Sequence, residues 1–281
     1  MTWACLCVQA LVALSASSGA ASHQSSSAAR EEVQYISGSL QLRGVIFTPD
    51  SRTRHPAVVF VHGLSGASDE VVATIGNVFA RNGYVLFFPF RRGLGPSAGQ
   101  GSAIGPTLDA EEKARGIDAK TRLTVRLLET EQLGDVRAAV DYVRTRSDVD
   151  PSRVAVFGSA FGGILSVLAA ERVPHIKASI SAETASQAWA GSAEIRDLLR
   201  RTVRKAAVPI FFFQGVNDID LTPTQELAAE MQRAGKPVVR KIYRGDGQKS
   251  NDGHTIAGNA PDLWEKDVLA FLKQHLDTSA K

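Results

Sequence analysis

The chain has 281 residues, of which 44% are apolar and 22% are charged, with 32 basic against 29 acidic side chains. These proportions are those of a globular protein, and they exclude disorder, collagen and a multi-span membrane protein. A net charge of +3 without a basic run is too weak to predict a nucleic-acid partner. Because Cys5 and Cys7 are the two cysteines, a disulfide framework or a cysteine metal site is excluded from the rest of the chain.

The first residues have the order of a secretory signal, with a nearly apolar run at 3–14 followed by small residues at 15–22. The run is shorter than the about 20 apolar residues of a membrane-spanning helix. No Lys or Arg precedes it, and the first basic residue is Arg30. We expect a signal peptide at 1–20, a periplasmic or secreted location, no membrane anchor and a flexible lead-in at 21–32. A disordered tail is the alternative.

From residue 33 onward, short β-branched or aromatic runs alternate with segments of helical period. This pattern predicts an α/β fold, with a mostly parallel sheet and helices on both faces. The predicted strands are 42–48, 57–61, 84–88, 153–157, 176–181, 210–213 and 238–243. The predicted helices are 68–82, 131–146, 160–172, 224–234 and 262–275. We expect Gly83 and Gly235 to end helices, Pro261 to begin the last one, and 33–277 to form one domain without a separate cap domain.

Three segments interrupt this alternation. Residues 93–106 are rich in glycine and predict a flexible loop beside the site. The charged segments 108–130 and 184–206 have two interpretations, as solvated surface helices or as walls of a substrate cleft.

A strand, a sharp turn and the start of a helix are predicted at 154–163, VAVFGSAFGG. This is the context of a nucleophile elbow, G-x-S-x-G, whose glycines lie two residues either side of an exposed apex. Gly158 and Gly162 fit these positions, so the apex is Ala160, which has no nucleophilic atom. An apex at Ser159 would place phenylalanines where the motif needs small side chains.

The other parts of a Ser-His-Asp site follow in the chain order nucleophile, acid, histidine. Asp218 lies on the loop after the strand at 210–213, where open α/β sheets place their sites. Asp220 is the alternative carboxylate. His254 lies in a polar loop after the strand at 238–243, and we expect it to reach the elbow as the base.

The strand at 57–61 runs directly into the pair His62-Gly63. In this architecture such a turn supplies one backbone N–H of an oxyanion hole, and the residue after the nucleophile supplies the other. We assign these donors to Leu64 and Phe161. His62 is expected to bond to nearby backbone rather than to act as a base.

Four residues are predicted to contact the substrate: Ser65, Arg92, Ser159 and Trp189. For Trp189, as for Phe161, packing in the buried core is an equally good alternative to lining an apolar pocket. This chemistry needs neither a metal nor a cofactor. The expected partner is a small-molecule ester, and the oligomeric state is left open between monomer and homodimer.

The motifs resemble those of the α/β-hydrolase superfamily, most closely its dienelactone-hydrolase and prolyl-oligopeptidase-like branch. The resemblance runs from about residue 33 to the C-terminus. It is carried by HGLSGASDE (62–70), FRRGLGPS (90–97), DVRAAVDYVRTRSDVDPSRVAVFGSAFGG (135–163), QGVND (214–218) and DGH (252–254). It implies an eight-stranded, largely parallel sheet and a Ser-His-Asp or Cys-His-Asp mechanism that cleaves esters, lactones or peptides.

The chain departs from this family at Ala160, and three explanations are open. The first is a serine esterase or lactonase inactivated by alanine, with a pocket that still holds substrate; serine is favoured over cysteine for an exported chain. The second is a natural pseudo-hydrolase that binds a ligand or partner, and the third is the frame with Ser159 as nucleophile. A small peptidase or amidase is a further alternative, although the chain is too short for the propeller of large prolyl oligopeptidases.

Overall fold

A computed structural model of the chain describes residues 1, 28–51, 53–244 and 252–277. Within these ranges the chain forms an eight-stranded sheet in the order β1-β2-β4-β3-β5-β6-β7-β8. The strands are β1 Ala29–Ser37, β2 Leu40–Thr48, β3 His55–Val61, β4 Val85–Pro89, β5 Val149–Ser159, β6 Ala178–Ala182, β7 Ile210–Gly215 and β8 Val238–Tyr243. β2 pairs antiparallel with β1 and β4, and the other neighbours pair parallel. The predicted mostly parallel sheet is confirmed.

Nine α-helices are described in these ranges. They are α1 Asp69–Arg81, α2 Ile104–Arg115, α3 Ile117–Leu127, α4 Leu133–Arg144, α5 Phe161–Arg172, α6 Ala193–Lys205, α7 Thr222–Arg233, α8 Ile256–Asn259 and α9 Pro261–Leu276. Gly83 and Gly235 follow the C-caps of α1 and α7 with φ of +83° and +66°, and Pro261 begins α9, as predicted. Among the described helices, none combines the length and the apolar composition that a bilayer crossing requires.

The sequence pattern does not predict β1. This strand begins at Ala29, inside the expected flexible lead-in, and runs alongside β2 with Ala29 opposite Thr48. Its burial alternates only from Val33 onward, because the first four residues are exposed at the edge of the sheet. The structure therefore corrects the lead-in at residues 29–32. Apart from Met1, the predicted signal segment lies outside the described residues.

Side chains of the sheet alternate between two hydrophobic layers. Val59 and Val61 of β3 belong to the layer that contains α4, α5, α6 and α7, whereas Val58 and Phe60 belong to the layer that contains α1 and α9. Every residue of β3 is buried, as expected for an interior parallel strand covered on both faces.

β5 and α5 meet at a turn that leaves no room for a side chain at Gly158 or Gly162. A Cβ on Gly158 would overlap the carbonyl oxygen of Gly162, and a Cβ on Gly162 would overlap that of Val61. These two glycines therefore allow α5 to begin directly over the ends of β5 and β3.

We expect Gly162→Ala to lower the free energy of unfolding by about 3 kcal/mol or to prevent folding, because the added methyl group meets a carbonyl oxygen that cannot move. The matched control is Gly134→Ala in α4, where a Cβ meets nothing within 4 Å. There, alanine should stabilise the helix by up to about 1 kcal/mol. Thermal unfolding of both variants measures the difference, and equal melting temperatures would contradict the packing argument.

Candidate active site

Ala160 occupies the apex of the turn between β5 and α5. Its φ is +53° and its ψ is −110°, a conformation that costs a residue with a Cβ about 1–3 kcal/mol. The Ala160 N–H donates to the carbonyl of Ala182 on β6 at 2.9 Å, which ties the apex to the neighbouring strand. Ser159 is the last residue of β5, so the chain does not adopt the alternative frame with Ser159 at the apex.

Ala160 lines a cavity of about 700 Å³. Both segments with an open interpretation contribute to its walls, 108–130 through α3 and 184–206 through the loop before α6. Much of the lining is apolar, with the side chains of Phe60, Leu64, Val71, Leu108, Ile117, Phe161, Ile164 and Ile195. The two segments are therefore walls of a cleft.

His254 and Asp218 form a hydrogen-bonded pair at this cavity. His254 Nδ1 lies 2.9 Å from Asp218 Oδ1, and the histidine side chain is 15% exposed while the aspartate side chain is fully buried. The carboxylate also accepts from the side-chain amide of Gln214 and from the backbone N–H of Ile219, each at 2.6 Å. These bonds fix the carboxylate, so that it can orient the imidazole.

Two glycines bring the acid loop and the histidine loop together. A Cβ on Gly215 would overlap Gly253, and a Cβ on Gly253 would overlap the backbone of Asp218. The alternative carboxylate, Asp220, accepts instead from the backbone N–H of Thr222 at the start of α7, at 2.8 Å. Asp218 is therefore the carboxylate that faces His254.

The two residues predicted to supply the oxyanion hole both line the cavity with Ala160. Phe161 is the first residue of α5, so its N–H has no acceptor within the helix. Leu64 follows Gly63, where a Cβ would lie 3.8 Å from the Ala160 Cβ. Both residues thus lie at the apex, and their role as donors stays a prediction.

Glu183, a fully buried residue directly after β6, is not among the predicted site residues. Its carboxyl group accepts from Ser159 Oγ at 2.8 Å and from the backbone N–H of Ala257 at 2.9 Å. Burial raises the pKa of Glu183 to about 8, and the charge of Asp218 acts in the same direction. Glu183 is therefore a neutral acid near pH 7. Its position at the carboxyl end of a strand, like that of Asp218, is a signal that could have identified it.

Ser186 is a second contact that sequence analysis misses. Its hydroxyl lies 2.9 Å from His254 Nδ1, on the nitrogen that also faces Asp218. The residue is buried in the loop before α6. No local pattern marks it, because the contact depends on how that loop folds back over the sheet.

Of the predicted substrate contacts, Ser65 and Ser159 line the cavity, but Arg92 and Trp189 do not. Arg92 donates to both carboxylate oxygens of Asp135, at 2.8 and 2.9 Å, and lines a separate cleft. Trp189 is 3% exposed and packs in the layer under α6. Pairing with a buried carboxylate and burial in the core, respectively, keep these two side chains away from the cavity.

The glycine-rich loop also lies elsewhere than expected. Gly93 N–H donates to the carbonyl of Gln100 at 2.9 Å, and the buried Ser97 hydroxyl donates to that of Phe90 at 2.9 Å. The loop contributes to the separate cleft beside Arg92 rather than to the cavity. The described part of the chain holds no cluster of three or more His, Cys, Asp or Glu side chains suited to a metal ion.

Known proteins share parts of this sequence. A putative carboxymethylenebutenolidase from Synechocystis is 26% identical over 243 residues, which cover 83% of this chain and 92% of that protein. The quorum-quenching protein AidA from Acinetobacter baumannii is 28% identical over 133 residues. That match covers 47% of this chain and 36% of AidA, so this chain spans about a third of that relative.

Solved structures show the same fold at low identity. An esterase from Pyrococcus furiosus superposes with a TM-score of 0.63 at 15% identity, over 89% of this chain and 94% of that chain. The acylaminoacyl peptidase of Pyrococcus horikoshii superposes with a TM-score of 0.65 at 18% identity, over 92% of this chain but 43% of that chain. These likenesses establish the α/β-hydrolase fold.

The family follows from the sequence as a whole. The model of the dienelactone hydrolase family matches residues 42–276, a range that holds the elbow, Asp218 and His254. Since this match extends over most of the chain, the protein belongs to the dienelactone hydrolase family.

Proposed function

We propose that this site is that of a carboxylic ester hydrolase of the acyl-enzyme type, in a nearly inactive form because Ala160 stands in place of the nucleophilic serine. The observation that carries the proposal is the His254–Asp218 pair, joined at 2.9 Å beside the cavity that holds the elbow apex. The dienelactone hydrolase family and a relative described as a putative carboxymethylenebutenolidase support cleavage of an ester or lactone.

With a serine at the apex, the geometry favours a conventional sequence of steps. The serine oxygen would attack the substrate carbonyl carbon while His254 Nε2 takes its proton. The oxyanion would accept hydrogen bonds from the backbone N–H groups of Leu64 and Phe161. The leaving alcohol would take its proton from His254. A water deprotonated by His254 would then hydrolyse the acyl-enzyme, with Asp218 balancing the imidazolium charge in both stages.

Glu183 supports this scheme by being neutral. Its carboxyl group lies near Asp218, and burial keeps it protonated until the pH approaches 8. The imidazolium formed during proton transfer would therefore be balanced by the charge of Asp218 without a second carboxylate charge from Glu183.

In the present chain the nucleophilic oxygen is absent, but the cavity is still formed. Loss of one triad member leaves about 10³ to 10⁴-fold acceleration over water, from the oxyanion hole and binding. The apolar lining favours an ester with an apolar acyl or alcohol group.

A ligand-binding pseudo-hydrolase is the second candidate. Leu64 and Ile117, which line the cavity, are 40% and 58% exposed, and exposed apolar side chains at a cavity favour contact with an apolar ligand or partner. Hydrolysis of peptides or amides is a further candidate that rests on the shared fold alone.

We expect Ala160→Ser to create hydrolysis of p-nitrophenyl butyrate at least about 10³-fold above the present chain, since it restores the nucleophile to a formed dyad. The rate of p-nitrophenolate release measures this. As the matched control, His254→Ala in the serine variant should abolish the gain. If the serine variant stayed silent on a broad panel of esters while the present chain bound a ligand or partner tightly, the pseudo-hydrolase candidate would replace the esterase.

We expect Glu183→Gln to stabilise the protein increasingly as the pH rises. Since the pKa of Glu183 is raised from 4.5 to about 8, the folded state binds more protons than the unfolded state between these values. The free energy of unfolding therefore falls as the pH rises through this range, and glutamine removes that loss. The glutamine oxygen can accept from the Ala257 N–H, and its NH2 group can donate to Ser159 Oγ in place of the bond that Glu183 accepts. Melting temperatures of the two proteins, compared from about pH 5 to about pH 9, test this. A difference that stays constant over the range contradicts the raised pKa.

A further inference from the structure

Arg91, the second residue after β4, is a buried cation without a carboxylate in contact. It is 1% exposed, and in the part of the chain that the structure describes it forms no ion pair within 4 Å. The charge of Asp135 raises the pKa of Arg91, but the hydrogen bonds of this carboxylate go to Arg92 and Ser37. A buried charge without an ion-pair partner is unfavourable unless other groups stabilise it, so the contacts of Arg91 require an explanation.

One of these contacts is with the predicted oxyanion turn. Arg91 Nη2 donates to the carbonyl oxygen of Gly63 at 2.7 Å. The same oxygen lies 2.8 Å from Nδ1 of His62. Because the Gly63–Leu64 peptide is trans, the Leu64 N–H points to the side of the peptide opposite these donors, and the residue Leu64 itself lines the cavity. A charged donor on the carbonyl polarises this peptide and makes its N–H a stronger donor.

His62 is the second side chain that contacts the Gly63 carbonyl oxygen. The backbone N–H of Arg91 donates to His62 Nε2 at 3.2 Å, so Nε2 accepts and the proton of the neutral ring resides on Nδ1. Burial, aided by the charge of Arg91, lowers the pKa of His62 to about 3. His62 is therefore a neutral donor to Gly63, and Arg91 supplies the positive charge.

The second predicted donor is linked to the same guanidinium group. The Arg91 Cζ atom lies 4.8 Å from the centre of the Phe161 ring, within the range of a cation–π interaction. The Arg91 guanidinium group therefore contacts Phe161, whose N–H is one predicted donor, and the Gly63–Leu64 peptide, which contains the other. The guanidinium group has two further acceptors, the carbonyl oxygen of His62 at 3.3 Å from Nη2 and the side-chain oxygen of Gln132, which is bonded to Nη1.

We propose that Arg91 is a positioning residue of the oxyanion hole, whose charge orients and polarises the Gly63–Leu64 peptide from behind the cavity wall. This inference rests on the proposed function for its catalytic consequence. Burial lowers the pKa of Arg91 to about 10, so the group is cationic at neutral pH. A purely structural Arg91 would instead affect stability alone.

The first arm of the test needs no catalysis. In the present chain, Arg91→Met should shift the Leu64 amide nitrogen signal upfield, because the hydrogen bond to the preceding carbonyl is lost. Arg91→Lys, which keeps a charged donor, should restore most of the shift. The control is Gln132→Met, which breaks the same network on the side away from Gly63 and should leave the Leu64 signal near its place. An unchanged Leu64 signal in Arg91→Met overturns the proposal.

The second arm uses the Ala160→Ser background with p-nitrophenyl butyrate. Arg91→Met should lower kcat by about tenfold to a hundredfold with KM changed little, below the loss typical for a missing oxyanion donor. Arg91→Lys should recover most of kcat, and Gln132→Met should keep it within about twofold. Should the methionine variant not fold, Arg91→Gln takes its place, since it removes the charge but keeps a donor.

The two arms separate the possible failures. An active serine variant whose kcat does not depend on Arg91 overturns the positioning role and leaves the esterase proposal intact. A silent serine variant overturns the esterase proposal, and the Leu64 amide signal then decides on Arg91 by itself.

Discussion

The close approach of α5 to β5 and β3 is the constraint on which the rest of the site depends. Gly158 and Gly162 have no space for a Cβ, and the turn between them forces Ala160 to a φ of +53°. This strain, about 1–3 kcal/mol, is held by the surrounding packing. Once the turn is fixed, the apex faces the cavity and the first N–H of α5 lies beside it. The loops after β6 and β7 then bring their carboxyl groups to the same edge of the sheet.

Two buried carboxyl groups lie near this edge, and their surroundings give them different parts. Asp218 receives the His254 imidazole, a side-chain amide and a backbone N–H, so its charge faces the histidine. Glu183 accepts hydrogen bonds from two neutral donors, which lower its pKa. Desolvation by burial raises the pKa by more than these bonds lower it, so the pKa is about 8. Environment rather than residue type separates the two groups, and near neutral pH the charge beside His254 is that of Asp218.

Most of the strands and the elbow could be predicted because each depends on local pattern: continuous apolar runs, or glycines at fixed spacing. The contacts of Glu183, Ser186 and Arg91 could not, since they depend on which strands and loops become neighbours, which no short segment encodes. Arg92 and Trp189 are predicted to contact the substrate, but Arg92 pairs with Asp135 and Trp189 is buried in the core. β1 was missed because the exposed residues 29–32 carry no alternation.

Packing and chemistry make separable demands on this chain. The elbow glycines are needed by the contact of α5 with the sheet, whatever residue occupies the apex, so the strained turn alone says little about activity. The His254–Asp218 pair and the unpaired Arg91 charge belong to neither hydrophobic layer, and buried polar groups of this kind destabilise a fold unless they are well partnered. The stability of the fold alone does not account for these groups. His254 lines the cavity of Ala160, and Asp218 and Arg91 contact residues that line it. This placement supports a site that binds a ligand, and with it the proposed esterase chemistry in a form lacking only its attacking atom.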